Sequence, residues 1–444
     1  MNILLIEQVK MKAIPSKPFE KMFLTMFSIL PSLYPRRLAA ITPKDHKVTL
    51  INERYHAIPF TKSYDLAIIH FNTASAYRAY HIADMFRKKN VPVVLCGLHA
   101  SALPDEALDH ADSILLGRGE GNYLQMLNDM SRGELKELYH PEPYGDLSCS
   151  IPPTHVSLPG FQITGAIEAT RGCPYQCSFC PEANTPEGHR FFVRPVEEII
   201  EEIASLPQKT LMFYDLSLTI NKDFSKELFQ KMKPLKKRFF CNGNVDVLSS
   251  DEELVRLAHE AGCIGWLIGF ESFTQETLST IGKSTNKVSE YKKAIDLIHR
   301  YKMAVIGDFM FGFDSDTKDV FENTLKLIKR LRIDVADFSI LTPFPGTPLF
   351  QDLKKQKRLL TEDWERYTMH SVVFEPKKMT SEDIIQGVTL IYNDFYSSGY
   401  TIKRICRALS LGIHPFFLVF ARNIIGLFSR KNLISRKYKE GSRE

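Results

Sequence analysis

The stretch EATRGCPYQCSFC, residues 168–180, places Cys173, Cys177 and Cys180 on one short loop with the spacing Cys-x3-Cys-x2-Cys. The loop follows the strand-like segment GAIEAT and precedes a helical segment. Three thiolates in one tight loop can bind three irons of a cubane cluster and leave the fourth iron open for a ligand. The alternative is a structural zinc site, which requires a fourth Cys or His, and His189 lies nearby in the chain.

Strand-like and helical segments alternate on both sides of this loop. After it, helical segments separate the strand-like runs TLMFYD, FFCNGN, CIGWLIGF, AVIGDFMFGF and VADFSIL. Repeated units of this kind predict a full or partial (β/α) barrel, whose reactive edge is formed by the carboxyl ends of the strands. Before the loop, the runs ILLI, KVTLI, DLAIIHF, VPVVLCG and DSILLG predict a second parallel sheet with helices on its faces.

These patterns predict an α/β chain of several units. We expect a parallel-sheet α/β domain over residues 1–138, a linker rich in Pro, Gly and Ser over 139–160, a full or partial (β/α) barrel over 161–372, and a helical, amphipathic region over 373–444. A length of 444 residues and an apolar fraction of 44% suffice for several cores. The eight cysteines are too few for a disulfide scaffold in a chain of this size, which again favours a metal site in the loop.

The net charge and the first residues of the chain limit the partners and the cellular compartment that we expect. The formal net charge is +5, with the basic surplus concentrated near the C-terminus, so we expect no nucleic-acid partner. The first residues, MNILLIEQVK, lack the basic leader, long apolar core and cleavage site of a secretory signal. We therefore expect a cytoplasmic protein.

The cysteine loop, with Phe179 before the last cysteine, resembles the defining loop of the radical S-adenosylmethionine (SAM) superfamily. The segments FYDLSLTIN, GFES, IGK, FMFGF and LTPFPGTPL follow in the order seen in the branch that carries an N-terminal cobalamin-type domain. The resemblance implies a partial (β/α)6 barrel over residues 161–372. It also implies a 4Fe-4S cluster on Cys173, Cys177 and Cys180, with SAM bound to the open iron. In that family, an electron from the reduced cluster releases a 5′-deoxyadenosyl radical from SAM. The resemblance also implies an electron donor such as a flavodoxin or ferredoxin.

The resemblance also implies a cofactor site that includes Phe179 and several further residues. Glu271, in GFES, matches the position whose carboxylate usually contacts SAM. Tyr214 and Asp215 lie at the strand tip where relatives present a polar residue to the methionine amino group. Asn244 stands where many relatives have an arginine or another polar residue, so this sequence departs there from the common pattern. The simpler interpretation of Asp215 and Asn244 is turn or helix-start chemistry.

The first predicted domain resembles the cobalamin-binding type, notably in PVVLCGLHASALPDEAL and SILLGRGEGNY. This resemblance implies a Rossmann-like, flavodoxin-like fold for residues 1–138. Members that ligate cobalt through a histidine carry an Asp-x-His-x-x-Gly motif after the first strand, where this chain reads EQVKMKA. Many relatives bind cobalamin without that ligand, so cobalamin remains an expected cofactor. His70 and His99 are candidate neighbours of the corrin, or else ordinary loop residues.

The C-terminal region alternates apolar residues with arginines and lysines. Its apolar stretch, residues 409–421, is too short to span a bilayer. It is typical either of an interfacial helix, with Phe416, Phe417, Leu418 and Phe420 in the acyl boundary, or of a helix packed on the barrel. The early segment FEKMFLTMFSIL allows the same two interpretations. In the interfacial case, the side chains expected at the headgroups are Lys403, Arg404, Arg407, Arg422, Arg430 and Lys431.

Three functions are compatible with some or all of these features. The leading hypothesis is a cobalamin-dependent radical SAM methyltransferase acting on an unactivated carbon of an apolar small molecule, such as a lipid or isoprenoid. A second hypothesis keeps the radical enzyme but replaces methyl transfer by cyclisation, C–C coupling or oxidative rearrangement. A third, a non-catalytic Fe-S or zinc protein, leaves GFES and the barrel pattern unexplained. Peripheral contact with the inner face of the membrane is compatible with the first two.

Overall fold

A computed structural model of the chain describes residues 1–7, 33–53, 56–117, 119–140, 163–186 and 188–440, with side chains in the last helix up to residue 428. Most of the predicted linker and the segment FEKMFLTMFSIL lie outside the described residues. The described part forms two parallel sheets of six strands each and a C-terminal group of helices. The predicted α/β class is therefore confirmed.

The first sheet consists of β1 (Asn2–Glu7), β2 (Lys47–Asn52), β3 (Leu66–His70), β4 (Val93–Cys96), β5 (Ser113–Leu115) and β6 (Leu138–Tyr139). The strands are parallel, in the order β2-β1-β3-β4-β5-β6. Their apolar runs are nearly continuous because helices cover both faces of a parallel sheet. These helices are α1 (Tyr34–Ile41), α2 (Ala76–Arg87), α3 (Leu98–Ala102), α4 (Pro104–Leu108) and α5 (Glu120–Arg132). The order confirms the flavodoxin-like prediction and places the ligand crevice of such folds at the carboxyl ends of β1 and β3.

The remaining strands are β7 (Thr164–Ile167), β8 (Thr170–Arg171), β9 (Phe192–Val193), β10 (Thr210–Phe213), β11 (Arg238–Asn242), β12 (Cys263–Glu271), β13 (Ala304–Phe311) and β14 (Val335–Ile340). Six of them form a parallel sheet in the order β14-β13-β12-β11-β10-β7, while β8 and β9 pair antiparallel on either side of the cysteine loop. Within the described residues β7 and β14 are the sheet edges and do not pair with each other. The barrel is therefore open, as expected for a partial barrel.

Helices pack on the outside of this open barrel. They are α6 (Val196–Ser205), α7 (Lys222–Met232), α8 (Val245–Ser250), α9 (Glu252–Ala261), α10 (Gln275–Thr280), α11 (Tyr291–Arg300), α12 (Val320–Leu331) and α13 (Pro348–Lys355). The main core lies between these helices and the strands, around buried aromatic side chains such as Phe229, Phe239 and Trp266. Three further helices follow, α14 (Ser381–Phe395), α15 (Ser398–Ala408) and α16 (Ile413–Glu440).

Helix α16 packs against the inner face of the open barrel. Alternate strand residues share a face, and Val419 forms a core cluster with three that point away from the outer helices, Ala304, Ile306 and Val335. A Cβ atom on Gly265, which shares this face, would lie 2.8 Å from Cδ2 of Leu418. One turn further along, Arg422 forms an ion pair with Asp337 of β14. The C-terminal helix is thus part of the barrel.

This packing supports the interpretation of a helix packed on the barrel, because five side chains named for the interfacial case lie against the protein instead: Arg404, Arg407, Phe416, Leu418 and Arg422. Arg404 is fully buried, and Arg407 donates to Oδ1 of Asp334 at 3.0 Å. Arg407 and Arg422 turn inward because carboxylates of the barrel strands, distant in sequence, neutralise them. Arg404 turns inward because buried acceptors receive its hydrogen bonds. The side chains of Arg430 and Lys431 lie outside the described residues. Among the helices that the structure describes, none combines the length and apolarity needed to cross a bilayer.

Candidate cofactor site

The cysteine loop leaves β8 at the carboxyl edge of the barrel. The amide of Cys180 donates to the carbonyl of Cys177 at 3.1 Å. The side-chain amide of Asn184 donates to the carbonyls of both residues, at 3.0 and 2.8 Å, which closes the loop into a compact turn. Gly172, just before Cys173, has φ +75°, and a Cβ there would lie 1.7 Å from a backbone oxygen of the returning chain. Glycine is therefore required immediately before the first cysteine.

Two distant segments hold the loop in place. The amide of Ser178 donates to the carbonyl of Ile281 at 3.0 Å, and the amide of Leu349 donates to the carbonyl of Ser178 at 3.0 Å. These contacts bring the segments IGK and LTPFPGTPL to the cysteines. Motifs that are far apart in the sequence thus meet at one edge of the barrel.

A carboxylate and an ammonium group lie beside the loop. Glu271 ends β12 with φ +61°, next to an irregularity in the pairing of β12 with β13. Positive φ is uncommon for a residue with a side chain, and such strain is frequent at functional sites. Nζ of Lys283 donates to Oε1 of Glu271 at 3.0 Å, and the carboxylate is largely buried. The GFES and IGK motifs therefore form one charged pair.

The electrostatics of the three thiols are coupled to that pair. Burial raises the pKa of Cys173, Cys177 and Cys180, and the ammonium of Lys283 opposes this rise at all three. Burial disfavours the charged form of Lys283, but Glu271, Cys177 and Cys180 outweigh it, so the pKa of Lys283 is raised. The sequence interpretation gave Lys283 no role, although its place in IGK was a signal. The ammonium group of Lys283 acts electrostatically on all three thiols.

Asp215 lies beneath the loop and supports the turn between β7 and β8. Its Oδ1 accepts from the amide and hydroxyl of Thr170 at 2.5 and 2.6 Å, and its Oδ2 accepts from the amide of Ala169 at 3.2 Å. Burial raises the pKa of Asp215 to about 7, against the lowering effect of the Thr170 hydrogen bonds. This arrangement corresponds to the simpler, turn-forming interpretation. Contact of Asp215 with a cofactor stays a prediction.

The other predicted residues are spread around the same edge. Phe179 is partly buried and packs against the main core. Tyr214 reaches the boundary with the first sheet, where burial raises its pKa and Glu7 adds to the rise. Asn244 precedes α8, its amide donates to Oγ1 of Thr219 at 2.9 Å, and its side chain lies close enough to Tyr175 in the cysteine loop to lower the pKa of that phenol, which burial raises. Cofactor contact by these residues stays a prediction.

Four charged side chains join the two sheets directly behind the loop. Nε of Arg171 donates to Oε2 of Glu168 at 2.9 Å, and its Nη2 donates to Oε1 of Glu120 at 3.2 Å. Arg37 from α1 pairs with Glu168, and its Nη1 lies 3.8 Å from Oε1 of Glu120. All four side chains are more than nine-tenths buried. Because Arg171 stands two residues before Cys173, this network fixes the start of the cysteine loop relative to the first sheet.

Glu120→Met is expected to destabilise the protein by about 3–5 kcal/mol, because it removes a buried carboxylate that lies between two buried guanidinium groups. Thermal unfolding of the anaerobic protein measures the effect. The matched control is Glu53→Met, which removes the partner of the partly exposed Arg78 and should cost about 1 kcal/mol or less. Equal losses in both variants would contradict a linking role for the network.

The two histidines expected near a corrin differ in their surroundings. His99 is fully buried, and its Nε2 lies 3.3 Å from Oε1 of Glu106, which also accepts from the indole of Trp364. His99 therefore belongs to a partly buried polar network. His70 ends β3 at the crevice between β1 and β3 and stacks on Tyr34 with ring centroids 4.5 Å apart. Burial lowers the pKa of His70 to about 4, so its imidazole is neutral.

Sequence comparison connects this geometry to known proteins. A family model described as the radical SAM superfamily matches residues 167–328. Bacteriochlorophyllide d C-12(1)-methyltransferase of Chlorobaculum tepidum is 30% identical over 381 residues, which cover 83% of this chain and 83% of the relative. The chain belongs to the radical SAM superfamily. It is an enzyme of that family, whose chemistry uses SAM and a 4Fe-4S cluster.

Further radical SAM relatives share long stretches with this chain. The C-8(2)-methyltransferase for bacteriochlorophyllide d from the same organism is 31% identical over 363 residues, 76% of this chain and 79% of the relative. An anaerobic magnesium-protoporphyrin IX monomethyl ester cyclase of Cereibacter sphaeroides is 30% identical over 234 residues, 51% of this chain and 37% of the relative.

Solved radical SAM structures share the fold at low sequence identity. The cobalamin-dependent SAM radical enzyme OxsB superimposes with a TM-score of 0.67 at 14% identity, over 99% of this chain and 75% of that chain. The methyltransferase TsrM from Kitasatospora setae, with cobalamin and a [4Fe-4S] cluster bound, gives 0.63 at 16% identity, over 80% of this chain and 78% of that chain. At these identities the likeness establishes the fold, with both sheets included.

Proposed function

We propose that this protein is a cobalamin-dependent radical SAM methyltransferase that methylates an unactivated carbon of an apolar small molecule. The observation that carries the proposal is the meeting of the cysteine loop with the Glu271–Lys283 pair at a barrel edge joined to a flavodoxin-like sheet. The names of two relatives, both methyltransferases for bacteriochlorophyllide d, support methyl transfer and a large apolar substrate. An electron donor such as a flavodoxin or ferredoxin would reduce the cluster.

Cys173, Cys177 and Cys180 would hold the 4Fe-4S cluster. The donor set fits, because soft sulfur ligands suit iron–sulfur centres and each thiolate binds a different iron. Within the described ranges, no three His, Cys, Asp or Glu side chains are placed to share one metal ion. Lys283 supplies a positive charge beside all three thiols. When bound and reduced, such a cluster supplies the electron that splits SAM into methionine and a 5′-deoxyadenosyl radical.

Glu271 and Lys283 would receive the amino-acid end of SAM. That end carries one ammonium and one carboxylate group, and the protein presents one carboxylate and one ammonium 3.0 Å apart beside the cysteines. Glu271 and Lys283 would exchange their mutual ion pair for contacts with the ammonium and carboxylate groups of SAM. Every charge would then keep a partner of opposite sign. Phe179, Tyr214, Asp215 and Asn244 line the same edge and are proposed to complete the SAM site.

Cobalamin would lie at the crevice between β1 and β3, on the side of the first sheet that faces the barrel. The residues present fit a macrocycle whose rim carries amide groups, because they offer polar partners there. Gly97 has φ +111°, and a Cβ on it would lie 2.2 Å from the oxygen of Phe71 and 3.2 Å from His70, so backbone and a neutral imidazole form the rim. The names of OxsB and TsrM, which mention cobalamin, support the proposal. When bound, cobalamin supplies the methyl group for transfer.

The alternative, radical cyclisation without methyl transfer, is favoured by one observation, the match to the monomethyl ester cyclase. Isotope labelling separates the two. We expect anaerobic turnover of bacteriochlorophyllide d with SAM that carries a deuterated methyl group to give a product that contains the label. Without cobalamin, 5′-deoxyadenosine should still form while the labelled product disappears. An unlabelled, rearranged product would favour the alternative, and label transfer that persists without cobalamin would exclude the cobalamin step.

A further inference from the structure

The junction between α15 and α16 carries an exposed strip of large apolar side chains. On α16, Ile413, Phe417 and Phe420 are spaced by four and three residues, so they lie on one side of the helix. Their exposed fractions are 59%, 57% and 36%. The opposite side, with the fully buried Val419, packs into the barrel. Ile402 and Leu409, 61% and 60% exposed, lie on the preceding α15–α16 segment. We call these five residues the apolar strip.

The apolar strip lies at the amino-terminal base of the barrel, opposite the cysteine edge. Nζ of Lys302, two residues before β13 begins, donates to the carbonyl of Ser410 at 3.2 Å. Nη2 of Arg407 donates to the carbonyl of Arg332, just before β14, at 2.8 Å. Binding at this base would therefore leave the cofactor edge accessible.

Basic side chains lie beside the junction that carries the strip. Lys302, Arg332 and Lys403 are exposed, and the first two lie beside the α15–α16 junction through the contacts just given. Between Asp394 and Glu440 the sequence contains no acidic residue. The described part of this surface thus combines exposed apolar groups with the exposed cations Lys302, Arg332 and Lys403.

We propose that the apolar strip and its basic surroundings dock the protein on an anionic lipid bilayer, with the strip at the acyl boundary and the cations at the headgroups. Interfacial helices bind in this way, through buried apolar area together with attraction to anionic lipid. A second copy of the same surface is a poorer partner, because two faces of like charge repel each other. This proposal is independent of the reaction that the barrel carries out.

The apolar part of the proposal is tested with the full-length protein and sedimented vesicles. Vesicles that contain phosphatidylglycerol should bind the protein, pure phosphatidylcholine should bind it much less, and added salt should release it. The double variant Phe417→Ser, Phe420→Ser should bind about tenfold more weakly. The control, Leu360→Ser with Leu390→Ser, alters side chains that are 53% and 67% exposed elsewhere and should bind like wild type.

The charge part has its own pair of variants. Lys302→Glu with Lys403→Glu should reduce binding to phosphatidylglycerol vesicles at low salt, whereas Lys88→Glu with Lys89→Glu, exposed lysines beside the first sheet, should not. Wild-type protein that ignores these vesicles at low salt would overturn the proposal, as would equal binding by strip and control variants. Concentration-dependent self-association that Phe417→Ser and Phe420→Ser abolish, without vesicle binding, would assign the strip to a contact between copies instead.

Discussion

Replacement of Cys173, Cys177 and Cys180 together by alanine is expected to leave the reconstituted protein without cluster iron or sulfide. Wild-type protein should contain about four irons and four sulfides per chain, since three thiolates and one open iron make up the site. No other cysteine belongs to the loop, so nothing replaces the lost ligands. Iron and sulfide analysis with optical spectra of the anaerobic protein measures the effect.

Cys241→Ala and Cys263→Ala are the matched controls, because both thiols are buried in the barrel strands away from the loop. Each should cost about 1 kcal/mol in packing and leave the cluster intact. A triple variant that keeps its full iron content would show that the cluster ligands lie elsewhere. Loss of iron in the single variant Cys241→Ala would also show that the cluster ligands lie elsewhere.

Glu271→Gln is expected to weaken SAM binding by about ten- to a hundredfold while the iron content stays unchanged. The substitution keeps the shape and removes the charge that would receive the SAM ammonium, and hydrogen bonds to charged groups contribute about 1.5–3 kcal/mol. Lys283→Met should weaken SAM binding similarly and leave Glu271 without its cation. Equilibrium binding of SAM to the reconstituted, oxidised protein provides the measurement.

Lys287→Met is the control for the lysine variant, because Lys287 lies in the same segment and its side chain is 67% exposed. It should bind SAM like wild type. If Glu271→Gln and Lys283→Met also bind SAM normally, the pair has only a structural role at the end of β12. Loss of iron in either variant would instead make the pair a support of the cluster loop.

The fold and the cysteine site could be predicted from the sequence because both are encoded locally. The alternation of strand-like and helical patterns predicts the two sheets, and the spacing of the cysteines predicts one loop. The role of Lys283 could not be derived from spacing, since its contact with Glu271 depends on how the chain returns after β12. Arg37 and Glu168 are still further apart in sequence, so their buried network is visible only in the folded chain.

The C-terminal helix shows the same limit more clearly. Its arginines and aromatic residues produce an amphipathic pattern that fits both a membrane helix and a packed one. The choice depends on Asp334 and Asp337, strand residues far away in sequence that neutralise Arg407 and Arg422. Removal of α16 would therefore expose the inner barrel face around Ile306, so point variants on its outer side test membrane binding more cleanly than truncation.

We expect this chain to cleave SAM reductively at the cysteine loop. Protein reconstituted anaerobically with iron and sulfide, then given SAM and dithionite, should form 5′-deoxyadenosine and methionine, which chromatography with mass detection quantifies. Without reductant, neither product should form. Protein that holds a complete cluster and binds SAM, yet yields no 5′-deoxyadenosine on reduction, would contradict the claim.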